Sequence, residues 1–362
     1  MRSEQTTYLA PLDHLRFLAA ALVVIYHYIH TYVGDIRPNN PLLSLVDEGH
    51  TGIGLFMVIS GFIFTVLTHG QEVSYGGFLR NRLIRIYPLY LFAVFLSLFI
   101  STYNDHRNYG MLELLGWLFP FRASTVPFSQ YFVQLWTIWV EFQFYLIFPF
   151  LKLFYERYGT RYLWSLIGLM ILVRALVFAS TGSVRFIAYE TIFGRLDEFL
   201  CGMIAGIAWS QNPQICRHPL HFIAASVALL YSLQCFNHYG GSTNIEASYW
   251  IIWTTIEGLI WSWFLLAYLQ QANKLPRQFA NKLAWMGSIS FSIYVMHNLV
   301  LAALRKHIPS TFWSNDIILS TLLNGAAIML PIIILVSSAT YYLIETPFLR
   351  LRRNYLLKRH HN

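Results

Sequence analysis

The sequence contains little charge and little cysteine. Charged residues make up 12 % of its 362 residues, which is about half the fraction found in soluble proteins. Its three cysteines, Cys201, Cys216 and Cys235, form no CxxC pair and no cysteine–histidine pattern that binds zinc. The first apolar run contains Arg16 and His27 and lacks the small-residue cleavage site of a signal peptide. These absences argue against a soluble domain and indicate no disulfide framework.

Apolar residues dominate the chain instead. They make up 56 % of it and recur in runs long enough to cross a bilayer core of about 30 Å, with Trp and Tyr near the ends. We therefore predict an all-α, polytopic integral membrane protein that has membrane lipid as a partner. The net charge of +8 lies mainly in short loops between the runs, as membrane topology requires, and does not indicate nucleic-acid binding.

Ten apolar runs are predicted to cross the membrane as helices. They are residues 12–32, 52–67, 86–103, 136–154, 162–179, 191–209, 220–236, 250–269, 286–304 and 317–344. Residues 111–121 are apolar but too short to cross, which favours an interfacial or re-entrant segment. Pro88 is predicted to break or kink the entry to the third span, and Pro331 to kink the last one.

Lysine and arginine are distributed unevenly between the loops. One set of alternating loops holds sixteen of them and the other set holds six. By the positive-inside rule the richer set is cytoplasmic, and an even number of spans puts both termini there. Residues 1–349 then form one transmembrane domain, and residues 350–362 form a basic cytoplasmic tail.

Two ionisable residues of the first span lie on one helical face. Arg16 and His27 are eleven residues apart, which closes three turns to within about 20° and separates them by about 16 Å along the axis. Ionisable groups inside a span indicate a functional site. The alternative is that Arg16 reaches the lipid headgroups while His27 is a hydrogen-bonded core histidine. His27 and His30 do not indicate a metal site, because no third ligand lies nearby in sequence.

Glu141 is the second anomaly, about a turn and a half inside the fourth span. Its depth resembles that of His27, so we expect the two side chains to meet across neighbouring helices. A carboxylate beside an imidazole fixes its tautomer and stabilises its cation, as in general-base and nucleophilic catalysis. The alternative is a structural polar contact between helices.

Further arginines lie at the third and sixth spans. Arg82 and Arg85 share a helical face at the membrane boundary, where arginine suits either a bound phosphate or anionic lipid headgroups. In the sixth span, Arg195 and Glu198 could form a structural ion pair, or Arg195 and Asp197 could bind a polar acceptor. His297, alone in the ninth span, is interpreted as structural.

These features together resemble the acyltransferase-3 family of bacterial membrane acyltransferases. The resemblance runs over essentially the whole chain, and Arg16 and His27 match the family's R-x10-H motif. Thr137 departs from the serine that the family often has there, but it keeps the hydroxyl. The blocks that carry the resemblance, in family order, are LDHLRFLAAALVVIYH, VISGFIF, RNRLIRIYP, WVEFQFYLIFP, GRLDEFLCGM and SIYVMH.

The resemblance implies a function and a location. The function is transfer of an acyl group, most often acetyl, from cytoplasmic acyl-coenzyme A to a hydroxyl of a cell-surface or exported saccharide or glycolipid, such as lipopolysaccharide or exopolysaccharide. The location is the bacterial cytoplasmic (inner) membrane, in the stand-alone form without the periplasmic hydrolase-like domain of many relatives.

It also implies roles for residues. His27, Glu141 and Arg16 are expected to be catalytic; Arg82, Arg85 and Arg16 are expected to contact the donor, and no metal is expected. Whether His27 acts as a general base or carries the acyl group itself is open, and no oligomeric state is indicated.

Three other function classes fit intramembrane Arg, His and Glu residues. A proton-coupled transporter of a small polar or anionic solute would accumulate its substrate without covalent change. A polytopic glycosyltransferase would need a lipid-linked sugar and usually has acidic residues in an extracytoplasmic loop. A non-catalytic scaffold would tolerate alanine at His27.

Overall fold

The computed structural model describes residues 9–106, 110–118, 132–305, 307–308, 314 and 316–357. The helices are α1 (Ala10–Tyr32), α2 (Pro41–Asp47), α3 (Gly52–Thr68), α4 (Tyr75–Asp105), α5 (Met111–Leu118), α6 (Trp136–Tyr158), α7 (Thr160–Thr181), α8 (Arg185–Glu190), α9 (Ile192–Gln211), α10 (Pro219–His238), α11 (Trp253–Gln271), α12 (Arg277–Ser288), α13 (Ser290–Leu304), α14 (Ile317–Asn324), α15 (Leu330–Thr340) and α16 (Thr346–Leu349). Short 3-10 turns are Gly49–Thr51, Val133–Leu135, Gly241–Thr243, Ser248–Ile251 and Ala272–Lys274. Two strands, β1 (Glu72–Val73) and β2 (Leu356–Leu357), pair antiparallel. The prediction of an all-α protein is confirmed.

The connections between long helices alternate between two faces of the molecule. At the face where α1 begins, which we call the proximal face, β1 pairs with β2 and the Gln270 side chain donates to the carbonyl of Pro213 at 2.7 Å. At the opposite, distal face, the Arg37 guanidinium donates to the Thr243 hydroxyl at 3.1 Å. Such alternation is what a chain crossing a bilayer repeatedly produces.

Seven of the described helical segments are long and apolar enough to cross a membrane, and the pair α12–α13 makes an eighth if it counts as one span. Two more of the predicted spans correspond to α9 and α11, which are 20 and 19 residues long. The polytopic membrane fold is therefore confirmed, while the count of ten and the cytoplasmic termini stay predictions. Of the basic residues used for the orientation, six lie outside the described residues, namely Arg2, Arg107, Arg122, Lys306, Lys358 and Arg359.

Two prolines expected to disturb their helices lie inside helical segments of the structure. α4 continues through Pro88 over 31 residues, so the helix is not broken there. Pro331 follows a π-helical turn, Gly325–Met329, in the continuous helical segment from α14 to α16. A π turn changes the carbonyl register locally and so accommodates a residue without an N–H. A second π turn, Tyr341–Glu345, precedes α16.

The ninth predicted span is not one straight helix. α12 and α13 meet at 68° around Ile289, inside the run predicted as residues 286–304. Gly287 lies so close to α1 that a Cβ there would collide with the carbonyl oxygen of Asp13. This contact holds the bend against the start of α1, next to Arg16. The segment predicted as too short to cross is the eight-residue helix α5; residues 119–121 lie outside the described part of the chain.

Small residues join α3 to α9. A Cβ at Gly61 would collide with the carbonyl oxygen of Phe199, and one at Gly202 with that of Val58. Helices approach this closely in membranes where glycine removes the side chain. The outer surfaces of other helices carry apolar side chains suited to lipid, such as Phe95 on α4 and Leu335 on α15, which are 59 % and 71 % exposed. α3 is thereby fixed in the interior, where it forms one wall of the site.

Candidate active site

A cavity of about 360 Å³ lies among α1, α3, α4, α6, the α12–α13 bend and the end of the last helix. Its walls contain four of the sequence-predicted site residues: Arg16, Arg82, Arg85 and Glu141. A further arginine, Arg352, lines it from beyond α16. Four guanidinium groups from three separate parts of the chain therefore face one cavity. Such a cluster is suited to a ligand that carries several negative charges.

Arg82 is held by aromatic rings rather than by a carboxylate. Its guanidinium lies 5.0 Å from the ring centroid of Phe64, 5.5 Å from Phe78 and 5.9 Å from Tyr145. Within the described residues it forms no ion pair, and its buried Nε has no hydrogen-bond partner. Cation–π contact fixes the group in place while leaving its N–H donors available. Arg82 is therefore positioned and free to bind an anion.

Arg85 and Arg16 each have a carboxylate partner. Arg85 lies 2.6 Å from Glu345, which is 1 % exposed and also accepts a hydrogen bond from the hydroxyl of Ser292. Arg16 pairs with Asp13 one turn earlier on α1, at 2.7 Å. These pairs orient the two guanidinium groups beside the cavity. Each guanidinium group has N–H donors beyond those that bind its carboxylate, so both residues can still contact a ligand.

Arg352 belongs to the segment interpreted from sequence as a basic tail. Partial removal of its guanidinium from water, together with the nearby charges of Arg82 and Arg85, lowers the pKa of Arg352 to about 9. A lowered pKa means that the positive charge of Arg352 is disfavoured at this position. The sequence signal, the run RLRR after the last span, is the same as that of an ordinary positive-inside loop, so sequence reasoning missed it.

Glu141 lies with the arginines and not with His27. The hydroxyl of Tyr145, one turn along α6, donates a hydrogen bond to it, and the charges that act on it are those of Arg85, Arg82 and Arg16. Within the described part of the chain, no hydrogen bond or ion pair joins Glu141 to His27. The contact predicted between these two side chains therefore does not form. Matched depth in the membrane was not enough to bring them together.

The neighbour of His27 is another histidine. The rings of His27 and His297 stack with centroids 5.0 Å apart and an angle of 7° between planes. His297 is fully buried, and its Nδ1 lies 2.7 Å from the carbonyl oxygen of Tyr294. That contact assigns the proton to Nδ1 and leaves Nε2, which has no hydrogen-bond partner among the described residues, as an acceptor. His297 was interpreted as structural; the structure makes it a neighbour of the predicted catalytic imidazole, and the SIYVMH block was the available signal.

Tyr294 connects the cavity with the histidine pair. It lines the cavity, and its ring lies 5.8 Å from that of His297. The hydroxyl of Thr137 donates to the Tyr294 hydroxyl at 2.8 Å, and Tyr294 donates to the carbonyl of Gln134 at 3.2 Å. The hydroxyl retained at Thr137 thus has a defined contact. α13 begins at the cavity with Ser290, and His297 lies two turns further along this helix. His27 itself is not part of the cavity wall.

Arg195 and Asp197 lie in a separate, buried network. Both are 0 % exposed. Arg195 pairs with Glu198 at 2.6 Å, so the ion pair considered for these two residues is present, and Asp197 pairs with Arg174 at 2.6 Å. Neither residue lines the cavity. Within the described residues, no three His, Cys, Asp or Glu side chains are grouped to hold a metal ion.

Known proteins resemble the chain over most of its length. A sequence profile described as an acyltransferase domain, that of the acyltransferase-3 family, matches residues 9–342. The O-acetyltransferase OatA of Staphylococcus aureus (strain NCTC 8325 / PS 47) is 26 % identical over 227 residues, which cover 56 % of this chain and 35 % of OatA. The "Putative peptidoglycan O-acetyltransferase YrhL" of Bacillus subtilis (strain 168) is 22 % identical over 348 residues, covering 83 % of this chain and 50 % of YrhL.

A viral protein, the "Putative acetyltransferase ORF330" of Acidianus two-tailed virus, is 24 % identical over 304 residues, covering 82 % of this chain and 84 % of that protein. The chain spans half or less of the length of OatA and YrhL. No solved structure matches it. Because the family profile covers nearly the whole chain, the chain belongs to the acyltransferase-3 family.

Proposed function

We propose that the protein is a membrane-bound O-acyltransferase that moves an acyl group, preferentially acetyl, from cytoplasmic acyl-coenzyme A to a hydroxyl of a cell-surface or exported saccharide. The observation that carries the proposal is the convergence of four arginines on one cavity that adjoins, through Tyr294, the His27–His297 pair. The name of the O-acetyltransferase OatA supports O-acetyl transfer, and that of the "Putative peptidoglycan O-acetyltransferase YrhL" supports a polysaccharide acceptor.

The donor suits the charge of the cavity. Coenzyme A carries a pyrophosphate and a 3′-phosphate at one end and the acyl thioester at the other. Arg16, Arg82, Arg85 and Arg352 would bind the phosphates, since guanidinium forks match phosphate oxygens in pairs. The pantetheine arm would then extend past Tyr294 toward His27. The excess of basic residues on this side favours a cytoplasmic proximal face, where coenzyme A is available.

The reaction requires a base or a carrier at the distal end of the donor. A sugar hydroxyl attacks a thioester poorly until its proton is removed, and imidazole does this near neutral pH. In the direct route the hydroxyl oxygen bonds to the carbonyl carbon, the C–S bond breaks, and His27 passes the hydroxyl proton to the leaving thiolate. In the carrier route an imidazole nitrogen of His27 bonds to the carbonyl carbon, the C–S bond breaks, and coenzyme A leaves as its thiol with the imidazole proton. The saccharide hydroxyl then attacks the acyl-imidazole, the C–N bond breaks, and the hydroxyl proton returns to the imidazole.

His297 takes the positioning role that Glu141 was expected to have. Its ring is fixed by the carbonyl of Tyr294 and stacks on His27, so it holds the plane of the catalytic imidazole. Glu141 instead offsets part of the positive charge of the arginines and, through Tyr145, orders one wall of the donor cavity.

The test is transfer by purified protein with labelled acetyl-coenzyme A and a saccharide acceptor. Free coenzyme A thiol and labelled product should appear together, and His27→Ala should abolish both while the protein is recovered normally. His30→Ala is a matched control, because this histidine on the same helix contacts Asp47, whereas His27 stacks on His297. Full transfer by His27→Ala would remove His27 from the mechanism. Accumulation of a solute without covalent change would instead identify a transporter.

A further inference from the structure

The segment after the last helix folds back onto the start of α4. The side-chain nitrogen of Asn81 donates to the carbonyl of Arg353 at 2.6 Å, and its side-chain oxygen accepts from the backbone N–H of Arg353 at 3.1 Å. The N–H of Ser74 donates to the carbonyl of Tyr355 at 3.0 Å. The β1–β2 pairing completes this attachment, with Val73 opposite Leu356. We call residues 350–357 the C-terminal strap.

Side-chain packing anchors the strap as well. Tyr355 is 9 % exposed, and its ring lies 5.5 Å from that of Phe78 in an edge-on arrangement. Gly77 makes this possible, because a Cβ there would stand 3.0 Å from the Cβ of Tyr355. Phe78 also lies under the guanidinium of Arg82. The strap is therefore docked on the same turns of α4 that present the arginines of the cavity.

Within the strap, one arginine of three reaches the cavity. Arg352 lines it, whereas Arg350 and Arg353 do not. Unlike Arg16 and Arg85, Arg352 forms no ion pair within 4 Å in the described part of the chain, although its charge acts on Glu345. Burial of its guanidinium lowers the pKa of Arg352 most, and the charges of Arg82 and Arg85 lower it further. Holding a guanidinium beside like charges is unfavourable unless a ligand of opposite charge offsets the repulsion. The arrangement therefore favours a polyanion between Arg352 and the other arginines.

We propose that the C-terminal strap completes the donor site at the proximal face and that Arg352 binds a phosphate group of coenzyme A. The inference rests on the proposed function, since it takes acyl-coenzyme A as the donor. It assigns a binding role to a segment that the positive-inside rule alone explains as topology. The same chemistry, a phosphate, is also present on anionic lipid headgroups, and the experiment distinguishes the two sources.

The measurement is the affinity of coenzyme A for purified full-length protein in nanodiscs of zwitterionic lipid only. Arg352→Gln should weaken binding roughly tenfold to a hundredfold, the range expected for a lost charge-assisted hydrogen bond. Arg353→Gln removes the same charge one residue away and should bind like the parent, because Arg353 attaches to Asn81 through its backbone.

Release of the strap should have the same effect as loss of its arginine. Asn81→Ala removes both hydrogen bonds to Arg353 and should weaken coenzyme A binding to a similar degree. Adding Arg352→Gln to Asn81→Ala should cause little further loss, because the two substitutions act on one contact. Multiplying losses would mean that Arg352 reaches the ligand without the strap and would overturn this part of the proposal.

Thermal unfolding without ligand separates binding from a structural role. Arg352→Gln should unfold at the same temperature as the parent or higher, because it removes a repelled charge; a structural contact would give a lower temperature. Unchanged coenzyme A affinity, or a loss seen only in nanodiscs that contain anionic lipid, would overturn the role of Arg352. A parent protein that binds no coenzyme A at all would instead refute the proposed donor, which is a distinct result.

Discussion

Two arginines in separate parts of the molecule, Arg174 and Arg82, differ in their partners. In the buried network, Arg174 is 0 % exposed and its guanidinium donates to Asp197, to both Thr254 and Thr255, and to backbone carbonyls such as that of Ile251. In the cavity, Arg82 lies over aromatic rings and has no carboxylate partner among the described residues. A fully paired arginine stabilises the fold, while one with unused donors can bind a ligand.

The largest effect should come from breaking the buried network. Arg174→Ala leaves Asp197 as an uncompensated buried carboxylate, which costs about 3–5 kcal/mol. We expect little folded protein, or a much lower unfolding temperature in detergent. Replacing Arg174 and Asp197 together by methionine and leucine should recover much of the loss, because no charge is then left unpaired. A stable, active Arg174→Ala variant would contradict the structural role.

Within the cavity, Arg82 and Arg85 should respond differently. Arg82→Ala should weaken coenzyme A binding roughly tenfold to a hundredfold with little change in unfolding temperature, because it leaves no carboxylate unpaired. Arg85→Ala should weaken binding and also lower the unfolding temperature, since Glu345 loses its partner. The measurements are the coenzyme A affinity, by titration, and the unfolding temperature of both variants and of the parent protein. Equal donor affinity in parent and variants would assign these arginines to lipid headgroups.

Double-mutant cycles on transfer activity test which group acts with His27. His297→Ala added to His27→Gln should cost little more activity than His27→Gln alone, because stacked residues acting as a unit are non-additive. The losses of activity caused by Glu141→Gln and by His27→Gln should instead multiply, because Glu141 interacts with the arginines and not with His27. Activity in the single variants must be high enough to quantify. Non-additivity between Glu141 and His27 would restore the pairing expected from sequence.

The smallest effect should be at Thr137. Thr137→Ser keeps the hydroxyl that donates to Tyr294, so activity should stay within about twofold of the parent. Thr137→Val removes this hydrogen bond at nearly constant volume and should cost about 1 kcal/mol of stability. Steady-state kinetics and thermal unfolding of the two variants check this. A large loss in Thr137→Ser would show that the methyl group has a packing role at the cavity.

Helical spacing in the sequence indicated which side chains share a face better than it indicated their partners. Helical spacing placed Arg82 and Arg85 on one face, and both line the cavity with Arg16 and Glu141. Depth along a helix, however, is a single coordinate, and it says nothing about rotation around the axis. For that reason Glu141 was matched with His27 although α6 turns it toward the arginines.

Other features depend on how distant parts of the chain return to one another. The contact of Arg352 with the cavity requires the C-terminal strap to fold back onto Asn81, which no local pattern indicates. The bend at Ile289 replaced a straight ninth span, because neighbouring Gly287 packs against α1. The sequence alone predicted the first of these segments only as a basic tail and the second only as a straight span.

The bend at Ile289 also has an electrostatic consequence. α13 starts there as a new helix, with Ser288 and Ser290 on the cavity wall. The first N–H groups of a helix lack carbonyl partners, and the aligned peptide dipoles amount to about half a positive elementary charge at that end. The last carbonyls of α12 end at the same bend with the opposite charge, so the backbone contributes the difference between these two helix ends to the anion affinity of the cavity. A variant without any of the four arginines would keep this contribution, and its residual donor affinity would measure it.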